Sequence, residues 1–383
     1  MSSIGGLSLR AKAVNLARSM RSLGITGKDG LADISRAHTY LEDFIAVKLV
    51  VKKYFDDFKF LGKGSSVAYF QGVVKEGAFG FESFGSRKIA LGLFKDQSTD
   101  RKLGSLSGIS RILSEGNISP YVANLMSIGS LIDGERLVLH KADPDALDAQ
   151  VNVLFMELVD GKDLLSQMDS FKHKTLESKE LVATNLLKAL MSLHERKISH
   201  GDVKPENILI GDDDVMKLID FDNSSSFGKD ILTFTSPYGS PELIRWYLDQ
   251  EHVAPIKASK AQDYWQYGVS LIQIMTGNLV FNKNPEIVKT LHEEYNELLG
   301  GCEENFNMVN FLKFLKSKGI ISEKKFRRIS ENPESKEYKM FQFAMKSMHP
   351  DPRTRERLVE EDAFFAAVTS KRSEEMSLES KAG

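Results

Sequence analysis

Residues 199 to 223 constrain this chain more than any other stretch. They read Ser-His-Gly-Asp-Val-Lys-Pro-Glu-Asn-Ile-Leu-Ile-Gly-Asp-Asp-Asp-Val-Met-Lys-Leu-Ile-Asp-Phe-Asp-Asn. Two short apolar runs, 208–210 and 215–219, flank a turn-rich Gly-Asp-Asp-Asp, the pattern of a β-hairpin with polar groups at its outer ends. Asp202, Lys204 and Asn207 precede the first strand, and Asp220 and Asp222 follow the second, so the hairpin brings all five to one edge. Carboxylates gathered with an amide oxygen suit a hard cation such as Mg²⁺. The adjacent Lys204 points to a phosphate handled at the same edge.

The stretch resembles the catalytic loop and metal-binding segment of protein kinases, H-R-D-x-x-x-x-N followed by D-F-G. Here these read His200-Gly201-Asp202 to Asn207, and Asp220-Phe221-Asp222. The resemblance implies an α+β, bilobal protein-kinase-like fold, with a small β-rich first lobe and a mainly helical second lobe. It implies ATP as phosphoryl donor and Mg²⁺ or Mn²⁺ as cofactor. Asp202 becomes the base that accepts the substrate hydroxyl proton, Lys204 the lysine aimed at the transferred phosphoryl, and Asn207 and Asp220 the metal ligands. Asp222 stands where the family has glycine, as a third metal contact or as a solvent-facing carboxylate. Gly201 stands where many kinases carry the arginine that binds an activation-loop phosphate, so switching by that phosphate is not expected.

Composition is ordinary for a folded chain, 42% hydrophobic and 27% charged, and the net charge of −2 gives no argument for nucleic-acid binding. One cysteine, Cys302, excludes a disulfide framework and fits a reducing compartment. No apolar run has the length of a transmembrane segment or the form of a signal peptide, so a soluble protein is expected.

The expected domains are a helical extension over 1–53, a kinase-like first lobe over 54–157, a second lobe over 158–369 and a disordered tail over 370–383. In the extension, Leu7, Leu9, Ala13, Leu16, Ala17 and Met20 recur at helical spacing among basic residues, a pattern of lobe packing or of peripheral contact with acidic lipid. Gly62 and Gly64 resemble a glycine-rich phosphate loop whose third glycine is replaced by Val67. Lys88-Ile-Ala-Leu-Gly-Leu-Phe-Lys-Asp96 resembles the V-A-I-K strand, with Ala90 under the adenine and Gly92 where the phosphate-binding lysine belongs; a three-residue shift puts Lys95 there. Lys88, Lys75 and Lys63 are further replacements. The expected helix 103–113 offers Ile109 at the place of the lysine's glutamate partner. Met156, Glu157, Val159 and Asp163 resemble the hinge, which implies a gatekeeper at Met156, adenine contacts by the backbone of 157–159 and a ribose contact at Asp163.

Further on, Ser240-Pro241-Glu242, Asp263-Tyr-Trp265-Gln-Tyr-Gly268-Val269 and Asp351-Pro-Arg-Thr-Arg355 resemble the A-P-E, D-x-W-x-x-G-V and D-P-x-x-R elements. They imply an aspartate bracing the catalytic loop and an Arg355–Glu242 ion pair. Thr235 matches a threonine that helps serine/threonine kinases seat a hydroxyl. Lys313, Lys316, Lys318, Lys324, Lys325, Arg327 and Arg328 form a basic run, either a solvated helix face or a docking site for a polyanionic activator such as an inositol phosphate or phosphoinositide. Glu374, Glu375 and Glu379 near the C-terminus are similar to export tails of type IV secretion substrates, which implies a bacterial effector acting in a host cytoplasm. The leading functional expectation is serine/threonine phosphorylation of a protein substrate. A pseudokinase scaffold, AMP transfer and small-molecule phosphorylation stay open beside it.

Overall fold

A computed structural model describes residues 54–63, 67–76, 88–94, 112, 118–132, 136–140, 153–211, 216–231, 233–299 and 306–382. The expected extension over 1–53, Gly64, Lys95 and the expected helix 103–113, Ile112 apart, lie outside these residues. Two compact units divide the chain: one contains residues 124–158 and what the structure describes before residue 99, the other residues 117–123 and everything from Val159 onward.

The first unit is one antiparallel sheet of β1 (Phe55–Lys63), β2 (Val67–Val74), β3 (Lys88–Phe94), β4 (Leu125–Ile132), β5 (Arg136–His140) and β6 (Val153–Glu157). Their order across the sheet is β1-β2-β3-β6-β4-β5. Ile89, Leu91, Ile128 and Phe155 are fully buried, and Phe55 stacks on Phe155 with ring centroids 6.3 Å apart. Ile128 to Ile132 pair with His140 to Arg136 as a hairpin at the sheet edge.

The second unit is mostly helical: α1 (Met168–Phe171), α2 (Leu176–Glu195), α3 (Pro241–Leu248), α4 (Lys260–Thr276), α5 (Pro285–Leu299), α6 (Met308–Ser317), α7 (Glu323–Ser330), α8 (Lys336–Ser347), α9 (Pro352–Glu360) and α10 (Ala363–Ala382). Side chains cap several starts: Thr175, Asn307, Ser322, Ser335 and Asp351 each accept an amide of the first turn. Short strands β7 (Lys162–Asp163), β9 (Ile208–Ile210) and β10 (Met216–Leu218) form one small sheet, and β8 (Ile198–Ser199) pairs with β11 (Ser225–Ser226). None of the described helices is long and apolar enough to cross a membrane.

α4 is the axis of this unit. Every residue from Ala261 to Met275 is buried, as in a helix packed on all sides. Four of its buried polar residues, Asp263, Gln266, Ser270 and Gln273, recur at three- and four-residue spacing, which puts them on one stripe. Burying that stripe is unfavourable unless each group is hydrogen-bonded. The partners it finds belong to the functional site.

The disordered tail expected over 370–383 is corrected: through Ala382 these residues continue α10. Its composition is polar, but Lys, Arg, Glu, Met and Leu are strong helix formers. Val368 is buried, and Arg372 forks onto Glu195 of α2, with Nη2 2.6 Å from Oε2. Arg372 thus anchors the start of the stretch that composition alone reads as disorder.

His292 on α5 is set edge-on against Trp265 and Phe281, and neither ring nitrogen has a hydrogen-bond partner. Burial pushes its pKa down to about 3, against 6.5 when exposed. The unfolded chain therefore takes up a proton below pH 6.5 that the folded chain refuses, and stability falls as pH drops toward 3. Between pH 6.5 and 5 this histidine contributes up to about 1.4 kcal/mol of lost stability per pH unit. Urea unfolding of His292→Leu over that window has a shallower pH slope than the parent; equal slopes would contradict the assignment.

Candidate active site

The loop 199–207 is held from beneath by α4. Asp263, fully buried, accepts from Ser199 Oγ at 3.0 Å and Gly201 N–H at 2.8 Å through Oδ1, and from His200 N–H at 2.9 Å and His194 Nε2–H at 2.8 Å through Oδ2. Four donors fill the four lone-pair positions of a carboxylate. Burial opposes ionisation of Asp263, but the hydrogen bond and charge of His194 and the amide of Gly201 outweigh it and hold the carboxyl below its usual range. One turn further, Gln266 accepts from Val203 N–H and donates to the Gly201 carbonyl, both at 2.8 Å, and Ser270 Oγ donates to the Val203 carbonyl at 3.2 Å. The stripe thus fixes the loop backbone amide by amide.

His200 is a wedge between the loop and the hairpin. Its Nε2 lies 3.0 Å from the Ile219 carbonyl, which can only accept, and its Nδ1 lies 3.3 Å from the Asp202 N–H, which can only donate. The ring is therefore the neutral Nε2–H tautomer. Burial pushes its pKa down and keeps it so. Phe221 packs edge-on against it at 5.4 Å.

Gly201 has φ of +78°, and a Cβ there would stand 2.4 Å from the Asn223 carbonyl oxygen. The glycine is required by the backbone and by this close approach, a reason the sequence pattern does not reveal.

This frame presents Asp202, itself buried. Its Oδ1 accepts from the Thr235 hydroxyl at 2.6 Å; Oδ2 accepts from Lys204 Nζ at 2.5 Å and from Asn207 Nδ2 at 3.2 Å. Lys204 Nζ also donates to Thr235 Oγ1 at 2.8 Å, which closes a ring of three polar side chains. Asn207 Nδ2 donates to the Asp202 carbonyl at 2.8 Å. Since both partners of that nitrogen only accept, the amide orientation is fixed and Oδ1 is the atom left for a cation. The structure brings together Asp202, Lys204, Asn207 and Thr235.

The β9–β10 hairpin pairs Ile208 with Leu218, and the Ile219 amide donates to the Asn207 carbonyl at 2.9 Å. Asp220 follows with φ of +67°, a left-handed conformation that a non-glycine residue adopts only when its surroundings impose it. Asp222 is buried and not solvent-facing. Among the described residues no group of three or more His, Cys, Asp or Glu side chains is arranged around a metal position. The donor set here is one amide oxygen and carboxylates at a hairpin end, which suits Mg²⁺ shared with phosphate oxygens rather than an all-protein cage.

The stretch from Asp222 to Glu242 is tied to the helical unit at its far end. Glu242 on α3 meets Arg355 in a two-pronged pair of 2.9 and 3.2 Å. The remaining arginine donors go to the carbonyls of His349, Ala261 and Pro350, and the guanidinium lies over the Trp265 ring. Earlier in the segment, Ile231 N–H donates to the Ile256 carbonyl and Lys257 pairs with Asp230 at 2.6 Å.

In the first unit, Ala90 pairs with Met156 and Gly92 with Leu154 and Tyr69, so Ala90 and Gly92 share one face of β3. Gly62 lies in β1 beside a register shift. Glu157 receives the Asn124 N–H at 3.0 Å on its carboxylate. Val159 and Asp163 belong to the second unit, and Asp163 Oδ1 accepts the Ser166 N–H at 2.7 Å, a local turn cap.

The basic run is not a bare positive surface. Lys316 and Arg327 pair with Glu323, Lys318 with Glu294, and Lys325 and Arg328 with Glu337, which engages five of the seven. Residues the sequence reading passed over are His194, Ser199, Gln266 and Ser270. The signal for the last two was available as polar residues at helical spacing in an otherwise apolar helix.

Residues 144–361, more than half of the chain and the whole of the loop, hairpin and Glu242–Arg355 pair just described, match the family model of the protein kinase domain. The chain is 33% identical over 147 residues to the hormonally up-regulated neu tumor-associated kinase of Homo sapiens, covering 37% of this chain and 20% of that protein. It is 29% identical over 143 residues to a probable serine/threonine-protein kinase of Clostridium acetobutylicum, covering 37% and 21%. With the serine/threonine-protein kinase TIO of Arabidopsis thaliana it shares 30% over 161 residues, covering 42% and 12%. The chain therefore spans about a fifth or less of the length of these relatives. The family model and the loop geometry meet at the same residues: this chain belongs to the protein kinase domain family.

Proposed function

We propose that the chain transfers the γ-phosphoryl of ATP to a serine or threonine hydroxyl of a protein. The observation that carries this reading is the hydroxyl already hydrogen-bonded to Asp202: Thr235 Oγ1 donates to Oδ1 at 2.6 Å, the bond an incoming substrate hydroxyl makes with a base. Asp202 orients that hydroxyl and takes its proton as the new O–P bond forms and the bond to ADP breaks. Lys204, 2.5 Å from the same carboxylate, places a positive charge where the transferred phosphoryl gathers negative charge. Asn207 and Asp220 would hold Mg²⁺, with Asp222 as a third contact. The metal, when bound, neutralises the phosphate oxygens. Most of the rate then comes from positioning, which the fully bonded loop supplies.

Gly92 favours a second reading. A residue without a side chain stands on the face where the phosphate-binding lysine is expected, so the fold serves as a binding module in which nucleotide is held weakly or not at all.

Incubation with γ-labelled and, separately, α-labelled ATP with Mg²⁺ or Mn²⁺ and a generic protein acceptor separates the readings. The proposal expects label from the γ position only, on serine or threonine, lowered by about 10² to 10⁴ in Asp202→Asn and abolished in Asp220→Ala. Asp222→Gly raises the metal concentration needed. Label from the α position would redirect the assignment to nucleotidylation, and no label with no ATP-induced thermal shift would leave the binding module.

Gly201 gives an independent check. Gly201→Arg restores the family's usual residue, yet it forces a left-handed conformation and a collision with Asn223. The variant loses at least about 2 kcal/mol of stability and most activity. A variant as stable and active as the parent would show that the loop backbone is not as described.

A further inference from the structure

A groove of about 640 Å³ opens at the far end of α4 from Asp263. The twelve residues between Asp263 and Met275 span about 18 Å of helix, so this groove is separate from the catalytic loop. It is lined by Lys172 and Lys174 from the α1–α2 loop, Lys179 of α2, and Lys325 and Arg328 of α7, with Glu337 of α8 as its one carboxylate. Only Lys325 and Arg328 come from the basic run of the sequence. The other three come from about 150 residues earlier and are brought here by the fold.

The charges are poorly compensated. Lys179 is 8% exposed, and among the described residues its ammonium donates only to backbone carbonyls, Lys172 at 2.7 Å and Met275 at 3.4 Å. Lys325 donates to the same Met275 carbonyl at 2.9 Å, so two cations share one acceptor. Burial, and after it the charge of Lys325, lower the pKa of Lys179. Glu337 is itself divided between Arg328 at 2.8 Å and Lys325 at 3.5 Å. Lys172 reaches the exposed Asp169, and among the described residues Lys174 has no carboxylate partner. The carbonyl end of a helix attracts cations, which accounts for Lys179 and Lys325 at the end of α4. It does not account for Lys172, Lys174 and Arg328 around the same opening.

We infer that this groove binds a small molecule carrying two or more phosphate groups, with Lys174, Lys179, Lys325 and Arg328 as its donors. The volume is that of a small-ligand site, and the lining has too little apolar surface to seat a helix or a hydrophobic peptide. The same chemistry is offered by a free polyphosphate and by a phosphorylated lipid headgroup. The inference does not depend on the chain's being an active kinase.

Calorimetric titration of the full chain at low ionic strength uses sodium tripolyphosphate as soluble probe, and co-sedimentation uses phosphatidylcholine vesicles with and without a bisphosphorylated phosphoinositide. The test variant is Lys174→Glu with Arg328→Glu, both exposed positions, its fold checked by thermal melting. Lys204→Met controls for binding at the catalytic loop. The expected result is a Kd for tripolyphosphate raised at least about tenfold in the double variant, unchanged in Lys204→Met, and weakening as salt rises. Binding to the phosphoinositide vesicles as well assigns the headgroup; binding to the soluble probe alone assigns a free ligand. Equal affinity in parent and double variant, loss confined to Lys204→Met, or no binding of either probe would overturn the inference.

Discussion

One buried carboxylate sets the geometry on which the rest depends. Asp263 sits at 0% exposure with its four acceptor positions filled by the backbone of His200 and Gly201 and the side chains of Ser199 and His194. A charge so placed is tolerated only when its hydrogen bonds are complete, and that requirement transmits order. The loop cannot shift without leaving the carboxylate exposed to an apolar interior. Gln266 and Ser270 extend the same constraint along α4, and Gln273 ends it by accepting from the Tyr238 hydroxyl at 2.7 Å. A single polar stripe thus connects the catalytic loop with the turn ahead of α3.

The second constraint is Arg355. Its guanidinium joins Glu242, three backbone carbonyls and the face of Trp265, so α3, α4 and α9 meet at one cation. Gly201 stands where many kinases carry an arginine. The stretch that ends at Glu242 is held by the Glu242–Arg355 pair and by the contacts of 230–231 with 256–257. In the same stretch Thr235 reaches Asp202.

Much of this was legible in the sequence. The hairpin pairing 208–210 with 216–218 and the placement of Asn207 and Asp220 at its ends follow from local spacing, whereas the partnership of Glu242 with Arg355, 113 residues apart, was implied by the resemblance to kinase motifs. Gly201 was visible as a departure, but its reason, a left-handed φ against the Asn223 carbonyl, depends on a residue twenty-two positions away and leaves no local trace. β5 was missed because a five-residue strand at a sheet edge has too short a pattern. The tail was misread because charge and small residues lower hydrophobicity without lowering helix propensity. The basic run reads as a solvated face or a polyanion site, and the sequence alone does not decide between them: its carboxylate partners Glu294 and Glu337 are outside the run, and the basic groove draws on two separate stretches.

The central claim is that α4 holds the catalytic loop amide by amide, and hydrogen exchange tests it most directly. The account predicts that the amides of His200, Gly201 and Val203, which donate to Asp263 and Gln266, exchange as slowly as the interior amides of α4, and that Asp263→Asn releases the first two selectively. Fast exchange at these positions in the parent chain, at rates typical of an exposed loop, would contradict it.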